Sequence, residues 1–356
     1  MQSFFGLTLK DLEASIGSLG KEKFRARQLY TWIYTKSVFN FQEMTNIPKG
    51  LRKIFQDMFS TKLLEIREIL LSSDGSRKFA FAVDDDYIIE SILMPEKERN
   101  TLCISSQIGC RMGCKFCVTG KIGFKRNLTT AEIVGQVAAV KEYLRKNNEG
   151  RITNLVFMGM GEPVDNLDNV LTALIILKES IGLDFSYRRI TISSVGLVDG
   201  LKTLPLKTAS VAISLNAADD ATRSRLMPIN RLYPVAKIVD FVRSFQGPNR
   251  IRTTFEYVMI KDINDSPEDA RRLAELLKGI KCKINLIPYN ESPYAEFKAP
   301  DPKSVTMFHD YLYGQRFTSM IRDSRGQDVS GACGQLGMRY LEKSQTSNTK
   351  SQTDDL

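Results

Sequence analysis

Histidine is nearly missing from this chain. Among 356 residues only His309 carries an imidazole, which leaves no Cys/His set for a zinc site. Cysteine is sparse as well, six in all, with no second C-x-x-C pair. No apolar run approaches the roughly 20 residues that span a bilayer, so no membrane association is expected. The opening Met1-Gln2-Ser3-Phe4-Phe5 lacks a charged segment followed by a long apolar stretch, and no secretory signal is expected. The expected location is therefore a reducing cytoplasm, where clustered thiols bind metal or do redox work. Acidic residues are missing from one stretch in particular. Between Thr101 and Ala131 there are five basic residues (Arg111, Lys115, Lys121, Lys125, Arg126) and no Asp or Glu.

Within that stretch lie Cys110, Cys114 and Cys117, spaced C-x3-C-x2-C. One short loop can turn three such thiolates toward a single inorganic centre. Iron–sulfur clusters are held by cysteine thiolates and usually take four. Three in a tight loop predict a [4Fe–4S] cluster with one iron left open to a substrate or cofactor. The alternative is a zinc loop or a set of buried thiols, although zinc sites usually show two ligand pairs or a Cys/His set. The spacing resembles the signature of radical S-adenosylmethionine (SAM) enzymes.

The net charge of +9 favours a polyanionic partner, nucleic acid being the usual one. Hydrophobic content of 42% and charged content of 26% are those of a soluble globular protein. Residues 1–60 read as a basic N-terminal helical module. Leu29, Trp32 and Ile33 follow helical spacing, as do Leu51, Ile54, Phe55 and Met58. Such a module could touch RNA backbone or simply cap the main domain. Residues 61–95 read as a β-rich, hairpin-like connector, with strands at 63–71, 77–83 and 87–93 and a turn at Asp74-Gly75. Pro95-Glu96-Lys97-Glu98-Arg99 reads as a linker. Residues 96–340 form the predicted core domain, and the polar segment 341–356 reads as a disordered tail.

In the core, strands are predicted at 102–105, 152–158, 189–193, 210–215, 253–259 and 283–287, with a seventh, edge strand at 318–322. A capping-box pattern, Thr129 with Glu132, opens a helix over 131–144. Asp265-Ser266-Pro267 opens another, running to Leu277. Alternation of this kind gives parallel strands with crossover helices. The predicted fold class is α/β, a partial (β/α)6 barrel of radical SAM type, with its site at the C-terminal ends of the strands.

A second motif, Gly159-Met160-Gly161-Glu162-Pro163, follows an apolar strand. Its glycines let backbone approach a ligand, and Gly161 and Glu162 could bind an amino group. The alternative is a tight strand-to-helix turn; the third glycine of a dinucleotide fingerprint is missing. Cys333 has small neighbours that would leave its sulfur accessible, whereas Cys282 opens an apolar strand and reads as core. For Cys103 and Cys333 alike, burial is the default reading. His309 sits in a predicted helix with no motif around it and reads as structural or solvated.

Four segments carry a wider resemblance. They are Thr101-Leu102-Cys103-Ile104-Ser105-Ser106-Gln107-Ile108-Gly109-Cys110, Phe157-Met158-Gly159-Met160-Gly161-Glu162-Pro163, Arg225-Leu226-Met227-Pro228-Ile229-Asn230 and Ala332-Cys333-Gly334-Gln335-Leu336. In this order they resemble the RlmN/Cfr family of radical SAM methyltransferases, which act on RNA adenines. The likeness runs from Arg25 to Leu336. The Gly161-Glu162-Pro163 form is closer to the RlmN branch, which methylates C2, than to the Cfr branch, which methylates C8. The resemblance implies C2 methylation of adenine-2503 in 23S rRNA, with adenine-37 of some tRNAs as a further substrate.

The same resemblance implies roles. Cys110, Cys114 and Cys117 would hold a [4Fe–4S] cluster. Gly161, Glu162, Ser193, Ser214, Leu215, Asn216 and Asn290 would line the SAM pocket. Cys333 would carry the methyl group, Cys103 would resolve the adduct through a transient disulfide, and Glu90 would accept a proton. The implied partners are the RNA and an electron donor such as flavodoxin or ferredoxin, and the implied state is a monomer. Many members carry Ser-Leu-His where this chain has Ser214-Leu215-Asn216. Asn cannot gain a proton near neutral pH, which argues against proton transfer there. The target base must leave its stack, and the basic loop 111–126 would hold phosphates. Without the resemblance, Glu90 reads as a solvated strand carboxylate, Ser193 and Ser214 as strand-end hydrogen bonders, and Asn290 as a turn residue. Cfr-like C8 methylation and a non-catalytic Fe–S redox protein that binds RNA remain open at this point.

Overall fold

The computed structural model describes residues 1–83, 87–205, 207–245 and 253–338; the tail read at 341–356 lies outside them. A ten-stranded sheet forms its centre. In space the strands run Thr318–Ile321, Cys282–Pro288, Thr253–Met259, Ser210–Ser214, Ile190–Ser194, Asn154–Phe157, Arg99–Cys103, Ile88–Glu96, Arg77–Ala82 and Glu65–Leu71. The first seven are parallel neighbours. The last three join antiparallel. All six parallel strands read from the sequence are present, and the edge strand is the seventh.

The three strands expected as a connector continue this same sheet. Pro95–Arg99, expected as a linker, is instead a hairpin: Pro95 pairs with Asn100 and Glu96 with Arg99. Charge at this point suggested a spacer, but antiparallel strands need only a two-residue turn, here Lys97 and Glu98.

Side chains alternate across a strand, and directly paired residues share a face. On one face Leu102, Leu155, Ile192, Ile213, Phe255 and Ile284 are buried in a single core. Helix Thr130–Lys146 packs into that core through Ile133, Val134, Val137 and Val140. Its capping box is formed as expected, with Thr129 and Glu132 reciprocally bonded, and helix Pro267–Leu276 opens on a second box at Ser266. The opposite face carries Cys103, Ser193, Ser214, Glu256 and Asn285, and lines the inside of the partial barrel. A one-residue slip would exchange the two sets. Each buried large apolar side chain is worth about 1.5–3 kcal/mol, so the apolar set fixes which way the polar set points.

The N-terminal module holds helices Leu9–Ser18, Phe24–Tyr30 and Lys49–Met58. Phe4, Tyr30 and Tyr34 form its aromatic centre, with ring centroids 4.7 to 5.9 Å apart. Leu51 and Phe55 are buried as their spacing requires, but Ile54 is exposed. The module packs on the main body. Lys141 Nζ donates to the carbonyls of Tyr34 and Thr35, and Thr35 Oγ1 donates to Ile181 O at 3.0 Å. Its packing role is therefore visible in the contacts.

Replacing Thr129 by Ala removes one partner of the capping box. The unfolding free energy should fall by about 1 kcal/mol, with the urea m-value unchanged. An unchanged midpoint would show that the box does not hold this helix.

Candidate active site

Strand Arg99–Cys103 ends at Cys103, and the chain then enters the thiol loop. Two buried polar residues hold the entry. Ser105 N–H donates to Gln136 Oε1 at 2.8 Å, and Ser105 Oγ donates to Glu90 O at 2.6 Å. Gln107 Oε1 accepts from Glu162 N–H at 2.8 Å, while its Nε2 donates to Asp165 at 2.7 Å. Gly109 then turns the chain at φ +69°. A β-carbon there would lie 1.7 Å from Gly123 O, so only glycine fits.

Cys110, Cys114 and Cys117 follow, all partly buried. Burial pushes the Cys110 thiol up to about 12, with Cys117 among the neighbouring charges that add to the rise. Burial pushes Cys114 up as well, and both Cys110 and Cys117 reinforce it. The three sulfurs thus lie within electrostatic reach of one another, in a setting where thiolates need a cation. Iron–sulfur clusters are held by cysteine thiolates, and a set of three thiols with the C-x3-C-x2-C spacing fits that donor chemistry.

The turn Gly159–Pro163 packs directly against this loop. A β-carbon on Gly159 would lie 2.7 Å from the Ile104 carbonyl carbon. One on Gly161, at φ +100°, would lie 2.5 Å from Gln107 Cβ. Glu162 is buried, and its carboxylate accepts from Val164 N–H at 3.1 Å and Val195 N–H at 2.9 Å. Burial raises its acid to about 7 despite these donors. A cationic amine placed beside it would favour the ionised form.

Ser193 and Ser214 lie on the inward face at strand ends. Asn290 Nδ2 donates to Cys333 O at 3.3 Å, and its Oδ1 accepts from Gln327 Nε2 at 2.9 Å. Leu215 and Asn216 are placed differently. The Leu215 side chain lies in the apolar core, its N–H donates to Glu256 O and its carbonyl accepts from Arg223. Asn216 is buried at φ +60°, with Oδ1 accepting from Val258 N–H at 2.8 Å and Nδ2 facing Met227 Sδ. Their polar groups are spent on shaping the wall.

The segment bearing Cys333 meets the thiol loop from the other side. Val118 N–H donates to Gly334 O at 2.8 Å, and Thr119 Oγ1 donates to Leu336 O at 2.8 Å. Cys103 is buried and Cys333 is exposed at its surface, yet burial around the Cys333 sulfur pushes that thiol up to about 12, with Cys117 adding to the rise. Burial raises the Cys103 thiol to about 12, and Cys333 lies near enough to add to the rise. Glu90 is not the solvated carboxylate that its strand position suggested. It is buried, its Oε2 accepts from Gly337 N–H at 2.7 Å, and its Oε1 lies 3.4 Å from Lys78 Nζ. Cys282 is buried on the apolar face, as expected. His309, on helix Pro302–Gly314, lies 3.1 Å from Asp310 and far from any motif in sequence.

Not all of the basic loop is available to phosphates. Arg111 pairs with Asp165 at 2.9 Å and lies over the Phe124 ring, and Arg126 pairs with Glu132 at 2.8 Å. Lys115, Lys121 and Lys125 are exposed and form no ion pair among the described residues.

Three buried groups were not singled out from the sequence. Lys78, already met beside Glu90, is one. Arg223 is fully buried and donates to Val195 O at 2.6 Å, Leu215 O at 2.9 Å and Asn230 Oδ1 at 2.8 Å, so it ties two strand ends together. Glu256 is buried on the inward face and accepts from Asn285 Nδ2 at 2.8 Å. The alternation Thr254-Glu256-Val258 was the signal that could have found it.

Burial raises the Glu256 acid from 4.5 to about 7. Folding therefore prefers the protonated form. That contribution is full below 4.5 and is lost as pH rises through 7. Glu256→Gln cannot ionise, so its stability relative to the parent should rise by about 2–3 kcal/mol between about pH 5 and pH 8. Parallel stability curves for the two proteins would contradict the assignment.

A family model described as the ribosomal RNA large subunit methyltransferase N-terminal domain matches residues 2–60, and the radical SAM superfamily model matches residues 104–276. A dual-specificity RNA methyltransferase RlmN from Geobacter sulfurreducens is 47% identical over 332 residues, covering 93% of this chain and 91% of its own length. One of the same description from Syntrophus aciditrophicus is 44% identical, covering 95% and 97%. The crystal structure of a radical SAM methyltransferase from Sphaerobacter thermophilus superposes with a TM-score of 0.89 at 39% identity, covering 95% of this chain and 99% of that one. Enzymes of this superfamily use a [4Fe–4S] cluster and SAM. With its thiol loop, its Gly-Glu-Pro turn and this likeness over nearly its whole length, the chain belongs to the RlmN family of radical SAM RNA methyltransferases.

Proposed function

We propose that this enzyme methylates C2 of an adenine in 23S rRNA, adenine-2503, and adenine-37 of some tRNAs. The observation that carries the reading is the meeting of two segments. The exposed Cys333 is bonded through Gly334 to the residue after Cys117, and the buried Cys103 lies within electrostatic reach of it.

Adenine C2 sits between two ring nitrogens and is electron-poor, so it does not attack a sulfonium methyl as a nucleophile. A bound cluster and SAM supply the methyl group and the radical chemistry that overcomes this. Cys110, Cys114 and Cys117 would hold the cluster, and Gly161 and Glu162 would hold the amino group of SAM. Ser193, Ser214 and Asn290 would line the rest of the pocket, with Leu215 and Asn216 shaping its wall.

In the reaction, Cys333 takes the methyl group as a thiolate. One hydrogen atom of that methyl group would be taken by the radical chemistry that bound SAM supplies, and the carbon would then bond to C2, which links enzyme to RNA. Glu90 accepts the C2 proton. Cys103 attacks the Cys333 sulfur and breaks its bond to carbon, which forms a disulfide; the departing carbon takes up a proton to complete the methyl group, and the odd electron would return to the bound cluster. The disulfide must be reduced before the next turnover, and a flavodoxin or ferredoxin would feed the cluster. Lys115, Lys121 and Lys125 support phosphate contact, which positions the RNA without reading its sequence.

Cys333→Ala should abolish RNA methylation while iron content stays at the parent level. Cys103→Ala should accumulate a protein–RNA adduct, seen as a retarded band on a denaturing gel. Free RNA together with normal turnover would remove Cys103 from the mechanism.

A further inference from the structure

Strand Arg77–Ala82 places Lys78 on the same sheet face as Glu90, one diagonal step away, because Ala80 pairs with Glu90. Lys78 is only 3% exposed. Its ammonium lies 3.4 Å from Glu90 Oε1 and 3.3 Å from Ser330 O. Glu90 Oε2 accepts from Gly337 N–H. One buried ion pair therefore grips the backbone on both sides of Cys333, at Ser330 before it and Gly337 after it.

The same face supports the grip by shape. Ile92 follows Glu90 on that face and packs against Gly326 and Gly331, where a β-carbon would lie 2.6 and 2.5 Å from its Cδ1. Asp328 adds a tie at the rim, accepting from Ser73 N–H at 2.9 Å. Buried ion pairs seldom stabilise a fold more than apolar residues of similar volume would. This one does something that apolar residues could not: it fixes a backbone carbonyl and a backbone amide at the same time. Glu90 Oε1 is itself buried and faces the Lys78 ammonium, while Oε2 is held by the Gly337 amide, so both carboxylate oxygens are fixed.

We propose that Lys78 is a positioning residue that latches the Cys333 segment onto the sheet and holds Glu90 in place beside it. The expected effect on turnover rests on the proposed roles of Glu90 and Cys333; the latch itself does not.

The test uses the full-length, cluster-loaded protein under anaerobic conditions. Peptide-resolved hydrogen exchange over residues 330–337 and iodoacetamide labelling of Cys333 are compared between the parent and Lys78→Met. Loss of a charge-assisted contact should speed both by about tenfold or more, with no change in helix Thr130–Lys146. Lys78→Arg should restore most of the protection. With RNA, Lys78→Met should lower kcat while leaving KM for RNA unchanged, since Lys78 is buried and the proposed phosphate contacts belong to Lys115, Lys121 and Lys125. Should Lys78→Met fold poorly, the double variant Lys78→Met/Glu90→Gln buries no lone charge, and its exchange near Ser330 should still rise. Unchanged exchange and labelling in either variant would overturn the latch. A parent protein that exchanges as expected but transfers no methyl group would overturn the proposed function and leave the latch standing.

Discussion

The chemistry of this chain depends on one packing constraint. The parallel sheet must bury Leu102, Ile192, Ile213, Phe255 and Ile284 against its helices, and strand alternation then turns Cys103, Ser193, Ser214 and Glu256 the other way. Neither set can move without the other. The thiol loop and the Gly-Glu-Pro turn are extensions of strands held in this way, so their positions follow from the core. Gly109 and Gly161 complete the fit by allowing backbone contact that no β-carbon would permit.

A polar interior is costly, and the structure meets that cost residue by residue. Arg223 gives its donors to carbonyls at two strand ends. Glu162 accepts two backbone amides, and Lys78 and Glu90 neutralise each other. Glu162 and Glu256 still carry raised acids, because burial outweighs the donors that face them. Residual strain of this kind marks sites where a ligand or reacting group is expected.

Much of this was legible before the fold was known. The six parallel strands and their caps could be read because buried parallel strands and helix N-termini have local signatures. The three cysteines could be read because their spacing is itself local. The hairpin at Pro95–Arg99 was read as a spacer because its charges mask a two-residue turn. Lys78, Arg223 and Glu256 were not legible, since each finds its partner through tertiary structure. Lys78 reaches a carbonyl 252 positions away, and Glu256 meets an amide 29 positions away on the next strand. Asn216 was legible through its motif, but the bond that its Oδ1 accepts from Val258 N–H was not.

The central claim is that this wall, loop and exposed thiol together deliver a methyl group to an adenine carbon. The most direct measurement is anaerobic incubation of the reconstituted enzyme with SAM, a reductant and unmodified 23S rRNA, followed by nucleoside analysis by mass spectrometry. The account predicts 2-methyladenosine. Unmodified adenosine would contradict the proposed activity, and 8-methyladenosine would contradict the assigned carbon.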